Sequence, residues 1–201
     1  MVGKLMLLLV SPSRLLVELL RDRCGENKDA RGTLFRRWNS ALFCVEVFVA
    51  ALCCLVTAHW SGAHLGAYVW PLMFYAWSRI NEISLAFYRD AFWHLRRNPV
   101  VTNLSSADRV GMALRSYAGL AVNFALLYYF LPVSEKFNDD LGHYGDALYF
   151  SFVTITTLGY GDVSPVHALT QALSVYEVLA GVLVLVVAVA TYIGSPDKGD
   201  A

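Results

Sequence analysis

The chain has 201 residues, of which 57% are hydrophobic and only 16% are charged. Soluble domains usually carry about a quarter charged residues, so this composition indicates a membrane protein. The histidines are scattered and no nucleophile, base and orienting group converge, so we expect no enzyme activity and no nucleic-acid partner. The four cysteines show no metal-binding spacing and are interpreted as small apolar fillers. We expect no cofactor.

The N-terminal region, residues 1–39, is predicted to be cytoplasmic. Residues 3–23 place leucines among basic side chains, a pattern that fits amphipathic turns on the membrane surface or a disordered tail. Residues 24–37 are rich in charge and contain two glycines. This composition predicts a loop that leads into the first membrane span.

Residues 40–88 are predicted to form a hairpin of two transmembrane helices. The first span, residues 40–60, is long enough to cross about 30 Å of hydrocarbon. A short polar turn follows, and the second span covers residues 65–88. The second half of this span carries charged side chains, which are costly to expose to lipid.

Two of these side chains, Arg79 and Glu82, and Glu46 of the first span are predicted to neutralise each other inside the membrane. At about 1.5 Å of rise per residue, Glu46 and Arg79 lie at similar depths if the two spans are antiparallel. We therefore predict that Arg79 pairs with Glu46, with Glu82, or with both. The alternative is that Arg79 extends to the membrane surface without a partner.

The remaining chain divides into a polar connector, residues 89–111, a pore domain, residues 112–194, and a short tail, residues 195–201. Both the connector and the tail are predicted to be cytoplasmic. The pore domain comprises, in order, a third span (112–131), a polar outer loop (134–145), a re-entrant helix that begins near Asp146, and a long apolar helix (166–194).

Charge asymmetry predicts the orientation of the chain. Of the 16 Lys and Arg residues, only Lys136 falls in a predicted outer loop. The positive-inside rule therefore places both termini in the cytoplasm of a multi-pass cell-membrane protein.

A nine-residue run, residues 154–162, lies between the re-entrant helix and the last span. In an extended strand successive carbonyls point to opposite sides, so lining a pore with all of them requires alternating right- and left-handed backbone. Gly159 and Gly161 adopt left-handed conformations without steric penalty. Tyr160 can then brace the strand from behind, and the Thr157 hydroxyl can add an oxygen layer. Such a cage of oxygens suits a dehydrated potassium ion.

The run Thr-Leu-Gly-Tyr-Gly-Asp resembles the selectivity filter of the potassium channel family, Thr-Val-Gly-Tyr-Gly-Asp. The likeness extends upstream to the pore helix, residues 146–153, and downstream to the outer mouth, residues 163–165. Leu158 replaces the usual valine. Tyr149 replaces one of the family's tryptophans, and Val153 stands where some members carry a buried glutamate.

This resemblance implies a tetrameric all-α pore, with an outer helix, pore helix, filter and inner helix, preceded here by two transmembrane helices. It implies potassium sites at the carbonyls of Thr157, Leu158, Gly159 and Tyr160, with Gly161 completing the filter. Support for the filter is expected from Tyr149, Val153, Asp162 and Glu177. Asp162 is expected to depend on the Tyr149 hydroxyl.

The last span carries the residues expected to control the inner pore. By resemblance Gly181 is the gating hinge, although a glycine serves a close helix crossing equally well. Glu177 is expected to brace the filter or to tune the cation concentration of the cavity. Four residues at near-helical spacing are expected to line an apolar constriction: Val182, Leu185, Val189 and Ile193.

One filter strand cannot surround a pore, so the sequence predicts a homotetramer in lipid that conducts K⁺ passively. A weakly selective cation channel is the nearest alternative. A non-conducting membrane scaffold or a transporter subunit is an alternative from a different class. The sequence does not specify the gating stimulus, although a single arginine in the second span argues against steep voltage dependence. Control by a separate regulatory subunit is open.

Overall fold

A computed structural model of the protein describes residues 28–59, 66–95 and 105–193. Within these ranges the regular secondary structure is entirely helical, apart from one isolated bridge between Phe137 and Pro165. The helices are α1 (Lys28–His59), α2 (Gly66–Leu95), α3 (Ser106–Phe130), α4 (Tyr144–Ile155) and α5 (Ala168–Ile193). The all-α prediction is confirmed. The proposed amphipathic segment, residues 3–23, and the tail, residues 195–201, lie outside the described residues.

Three helices in the described ranges are long and apolar enough to cross a membrane: Asp29–His59, Ala107–Phe130 and Ala168–Ala190. They correspond to the first, third and fourth predicted spans. Helix α2, the second predicted span, is not among them. Its apolar character is interrupted by Arg79, Asn81 and Glu82. This helix therefore depends on other parts of the protein to neutralise its polar side chains.

Helix α1 begins much earlier than the sequence suggested. We predicted a loop over residues 24–37, and this prediction is wrong for residues 28–37, which are helical. Arg36 of the extra turns lies 3.4 Å from Asp108 of α3, and stronger contacts with α3 begin just beyond these turns. The Asn39 amide donates to Ser116 Oγ at 3.0 Å and accepts from Arg115 Nε at 3.1 Å. The charges that we interpreted as a solvated loop instead occupy the polar end of a long helix.

Helix α3 is the central element, because it packs against each of the other four helices. Of its most apolar window, 61% is buried, compared with 22% for α1 and 28% for α5. Its start follows from its sequence, since Ser105 caps the helix by accepting the backbone N–H of Asp108 at 3.1 Å.

A buried charge cluster attaches the N-terminal hairpin to α3. Arg79 Nε donates to Glu46 Oε1 at 2.8 Å, and Arg79 Nη1 lies 2.8 Å from Glu82 Oε2. Asn123 of α3 also donates to Glu46 Oε1, at 3.0 Å. Gly119 makes room for the glutamate, since a Cβ there would overlap the Glu46 carboxylate. The structure therefore brings together all three residues predicted to pair in the membrane.

Breaking this cluster on one side should destabilise the protein. We expect Arg79→Met to lower the free energy of unfolding by about 3–5 kcal/mol, because two buried carboxylates lose their counter-charge. Adding Glu46→Gln and Glu82→Gln should recover part of this loss, since the triple variant buries no unpaired charge. Thermal unfolding of purified protein in detergent measures both effects.

Arg37→Met is the matched control, because Arg37 is exposed and makes no ion pair within the described ranges. The control should leave the unfolding temperature nearly unchanged. Equal losses for the variants at 79 and 37, or a triple variant less stable than Arg79→Met alone, would contradict a stabilising role for the cluster.

Candidate functional site

The re-entrant helix α4 is anchored at its N-terminus by its own capping carboxylate and by α1. It begins at Tyr144, slightly before the predicted start at Asp146, and the Asp146 carboxylate accepts the backbone N–H of His143 at 2.8 Å. The backbone N–H of Tyr144 donates to Thr57 Oγ1 of α1 at 3.1 Å. The far end of the N-terminal hairpin therefore binds the beginning of the pore helix.

Side-chain hydroxyls connect α4 to α3 along its length. Tyr144 Oη donates to the carbonyl of Val122 at 3.1 Å, and Ser151 Oγ donates to the carbonyl of Ala121 at 2.7 Å. At the other end of α4, Tyr117 Oη of α3 donates to the carbonyl of Ile155 at 2.7 Å. These bonds fix both the depth and the rotation of the short helix.

The candidate filter begins as a Schellman cap on α4. The N–H of Thr157 donates to the carbonyl of Thr154 at 2.9 Å, and the N–H of Leu158 donates to the carbonyl of Val153 at 3.0 Å. The C-cap of α4 is Thr156. In a Schellman motif the residue that follows the C-cap adopts a left-handed conformation and is usually glycine. Here that residue is Thr157, with φ of 59°. The backbone of Val153 thus supports the filter directly.

The left-handed conformation recurs at alternate residues along the filter. Thr157, Gly159 and Gly161 have φ values of 59°, 55° and 79°, whereas Leu158 and Tyr160 keep negative φ. This alternation is the backbone pattern that turns successive carbonyls toward one side of a strand. The side chains of Leu158 and Tyr160 are 60% and 68% exposed on the single chain.

Two side chains fix the outer end of the filter. Tyr149 Oη donates to Asp162 Oδ2 at 2.8 Å, the contact that the sequence led us to expect. This hydrogen bond lowers the pKa of the Asp162 carboxyl below its ordinary value. Asn138 of the outer loop donates to the backbone carbonyl of Asp162 at 3.1 Å and accepts the Ser164 N–H at 2.6 Å. Asn138 therefore connects the outer loop to the mouth of the filter.

Glu177 of α5 lies behind the filter and not on the cavity side. It is fully buried, accepts a hydrogen bond from Tyr128 Oη at 2.7 Å, and lies in close contact with Ser151 Oγ, whose one proton is donated to the Ala121 carbonyl. One carboxylate therefore connects the outer, pore and inner helices. Of the two roles expected for Glu177, this geometry favours bracing of the filter.

Gly181 packs closely against the end of α4. A Cβ at this position would lie 2.6 Å from Ile155 Cγ1 and 3.3 Å from Tyr117 Cε2. Helix α5 continues through Gly181 without interruption. The close crossing alone is sufficient reason for a glycine, and the hinge stays a prediction.

The expected inner-pore residues share one side of α5. Val182, Leu185 and Val189 are exposed on the single chain, while Ala180 and Val184 are buried on the opposite side. Ile193 is the last residue of α5, and its side chain lies outside the described part of the structure. An exposed apolar stripe is thus available to line a cavity or to contact another subunit.

Comparisons with known proteins agree with this architecture. Residues 117–195, which comprise most of α3, the filter and α5, match the ion channel family Ion_trans_2. The chain is 26% identical over 133 residues to the protein named voltage-gated potassium channel Kch of Escherichia coli (strain K12). The aligned region covers 66% of this chain, which spans about a third (31%) of the length of that relative. No solved structure shows significant similarity.

A re-entrant helix that ends in a glycine-rich strand, enclosed by two membrane-length helices, defines an ion channel pore domain. The filter sequence and the similarity to Kch indicate which kind of ion channel the chain resembles. Over the matched region the chain is similar to potassium channels.

Sequence reasoning missed several supporting residues. Three side chains donate hydrogen bonds to a backbone carbonyl or a carboxyl group beside the filter: Asn138, Tyr117 and Tyr128. The two tyrosines lie in an apolar helix, where an aromatic residue is normally part of the core. The hydroxyl groups of Tyr117 and Tyr128 on one side of α3 were the only feature of the sequence that could have indicated their supporting role.

Helix packing at Gly181 can be separated from hinge bending by a double-mutant cycle. We expect Gly181→Ala to destabilise the protein by about 1–3 kcal/mol, because the new methyl group overlaps Ile155. Ile155→Ala should make room for it, so the double variant should be more stable than the sum of the single losses. Thermal unfolding measures the coupling.

The control is Gly145→Ala on the same helix as Ile155, because no atom lies within 4 Å of a Cβ at Gly145. It should show no coupling to Ile155→Ala. Strictly additive losses for the pair at 181 and 155 would remove the packing explanation and favour the hinge.

Tyr149→Phe should raise the pKa of the Asp162 carboxyl toward its ordinary value. The hydroxyl favours the charged form of Asp162, so its contribution to stability is present at neutral pH and is lost as the pH falls through the lowered pKa. Without the hydroxyl the Asp162 carboxyl should take up its proton at a higher pH. Carbon NMR of the labelled carboxyl group measures the midpoint, with Tyr68→Phe, an exposed tyrosine, as control. Unchanged midpoints in both variants would contradict the role of Tyr149.

Proposed function

We propose that the chain is a subunit of a homotetrameric channel that conducts K⁺ selectively and passively across the cell membrane. The observation that carries the proposal is the alternating backbone handedness at Thr157, Gly159 and Gly161. Four such strands around one axis would supply stacked rings of carbonyl oxygens, which replace the water shell of a dehydrated ion. The sites would lie at the carbonyls of Thr157, Leu158, Gly159 and Tyr160.

Assembly into a tetramer follows from what one chain leaves uncovered. The filter has no protein on its carbonyl side, and non-helical backbone at membrane depth is tolerated only where protein or a water-filled cavity surrounds it. The exposed apolar side chains of Leu158, Tyr160 and Phe152 would be covered by neighbouring subunits. One filter per chain and fourfold closure are consistent with the family resemblance.

The pore helix would also contribute electrostatically. Helix α4 runs from Tyr144 to Ile155 toward the inner end of the filter, so the negative end of its dipole lies near Thr156. Four helices arranged in this way would favour a cation in the central cavity. Both termini would be cytoplasmic, as the distribution of basic residues predicts.

Potassium flux into liposomes that contain the purified protein tests the proposal. We expect flux of K⁺ but not of Na⁺, and loss of K⁺ flux in Gly159→Ala. An alanine at φ of 55° costs about 1–2 kcal/mol in each subunit, so the filter should no longer hold its carbonyls in register. The mass of the assembly in detergent should be four times that of the chain.

Gly145→Ala is the matched control, since this glycine does not have positive φ and its substitution meets no neighbour. It should retain K⁺ flux. Equal flux of both ions would favour a weakly selective cation channel. Absence of flux from a correctly assembled tetramer would favour a non-conducting scaffold or a subunit that requires a partner.

A further inference from the structure

A basic cavity lies between the beginning of α1 and the beginning of α3. Its volume is about 380 Å³, and it is lined by Arg36, Arg37, Ser40, Ala107, Asp108, Gly111 and Arg115. Three guanidinium groups face one carboxylate, so the cavity has a formal charge of +2. Nothing in the conduction pathway requires a basic cavity at this position.

Two of the arginines are available to a ligand. Arg37 is exposed and makes no ion pair within the described ranges. Arg115 is oriented by the Asn39 side chain, which accepts from its Nε at 3.1 Å. Its Nη2 faces the wall formed by Gly111, where an added Cβ would lie 3.8 Å from that nitrogen. The terminal nitrogens of Arg115 therefore point into the cavity.

The third arginine is only weakly neutralised. Arg36 Nη1 lies 3.4 Å from Asp108 Oδ1, and the two side chains are 50% and 31% exposed. An exposed pair at this distance contributes little to stability. A phosphate group, which accepts paired N–H bonds from guanidinium groups, would therefore compete effectively for Arg36.

The cavity lies at the level of lipid headgroups. Along α1, Arg37 is about 30 Å from Thr57, at 1.5 Å per residue, and Thr57 contacts the start of the pore helix. This separation equals the thickness of the hydrocarbon core. The arginines at 36 and 37 precede the apolar stretch of α1, and Arg115 lies in the first turns of α3, which also becomes apolar beyond it. A ligand held there would lie at one membrane surface, opposite the end where the pore helix begins.

We propose that this cavity binds the phosphate headgroup of an anionic phospholipid, between Arg36, Arg37 and Arg115, with Ser40 as a hydroxyl donor. Basic pockets between transmembrane helices bind such headgroups in other membrane proteins. The lipid would bridge the N-terminal hairpin and the outer helix of the pore. A soluble phosphate anion could bind the same guanidinium groups, so the test must distinguish a lipid phosphate from a free one.

Native mass spectrometry of the full chain in detergent, titrated with phosphatidylglycerol or with phosphatidylcholine, tests the proposal. We expect preferential binding of phosphatidylglycerol, weakened about five-fold by Arg37→Gln, since each basic side chain near the headgroup contributes about this factor. Arg89→Gln removes the same charge from the exposed surface of α2 and should change the affinity by less than a factor of about two.

Two further variants keep the test decisive if Arg37→Gln assembles poorly. Asp108→Asn removes the competing carboxylate and should tighten phosphatidylglycerol binding, whereas damage to the fold would weaken it. Gly111→Leu should fill the cavity and abolish the preference without changing charge. Equal binding of both lipids, or equal effects of the variants at 37 and 89, would overturn the proposal. Binding of inorganic phosphate that Arg37→Gln removes, without a preference between the lipids, would replace the lipid with a soluble anion.

Discussion

The structure depends on how the backbone from Thr156 to Asp162, which belongs to neither a helix nor a sheet, is supported at membrane depth. Lipid cannot satisfy its polar groups, so the protein must. The Schellman cap provides N–H donors for the carbonyls of Val153 and Thr154, and the Tyr117 hydroxyl donates to the carbonyl of Ile155. The last turn of α4 and the first residues of the filter therefore pair each other's backbone groups. A left-handed threonine costs about 1–3 kcal/mol, and this network of bonds offsets that cost. The filter geometry therefore follows from the capping of one short helix.

Support for that helix converges on a single carboxylate. Glu177 of α5 accepts from Tyr128 of α3 and contacts Ser151 Oγ of α4, so the three helices of the pore domain meet at one buried carboxyl group. Burying a carboxylate is unfavourable unless its oxygens are hydrogen-bonded, and here each oxygen lies beside a hydroxyl group. The pore helix itself carries Val153 beside the start of the filter, and the acid is supplied from the inner helix.

Much of this arrangement could be predicted from the sequence, and the failures have physical causes. The filter was recognisable because the whole nine-residue run, with two glycines at alternate positions, lies between two membrane spans and resembles a potassium channel filter. The pairing of Glu46 with Arg79 could be predicted because helices have a fixed rise per residue, which places both at similar depth, and because buried charges need partners. The left-handed conformation of Thr157 was not predicted, because in a sequence this conformation is usually indicated by a glycine. The helical residues 28–37 were missed because their charge and glycine content is typical of a loop, although the helix of the first span extends back through them.

The contacts of the N-terminal hairpin also indicate what it can do. Helix α1 touches the rest of the protein at three levels: Asn39 with α3, Glu46 with the buried cluster, and Thr57 with the pore helix. Moving Arg79 alone through a full membrane potential of 100 mV would supply about 2.3 kcal/mol. Breaking its buried pairs would cost about 3–5 kcal/mol, more than that potential provides. These magnitudes argue that the hairpin is a fixed support for the pore and not a voltage-driven lever. A stimulus that reaches the pore through α1 would therefore act at its N-terminal end, where the pair between Arg36 and Asp108 is half exposed.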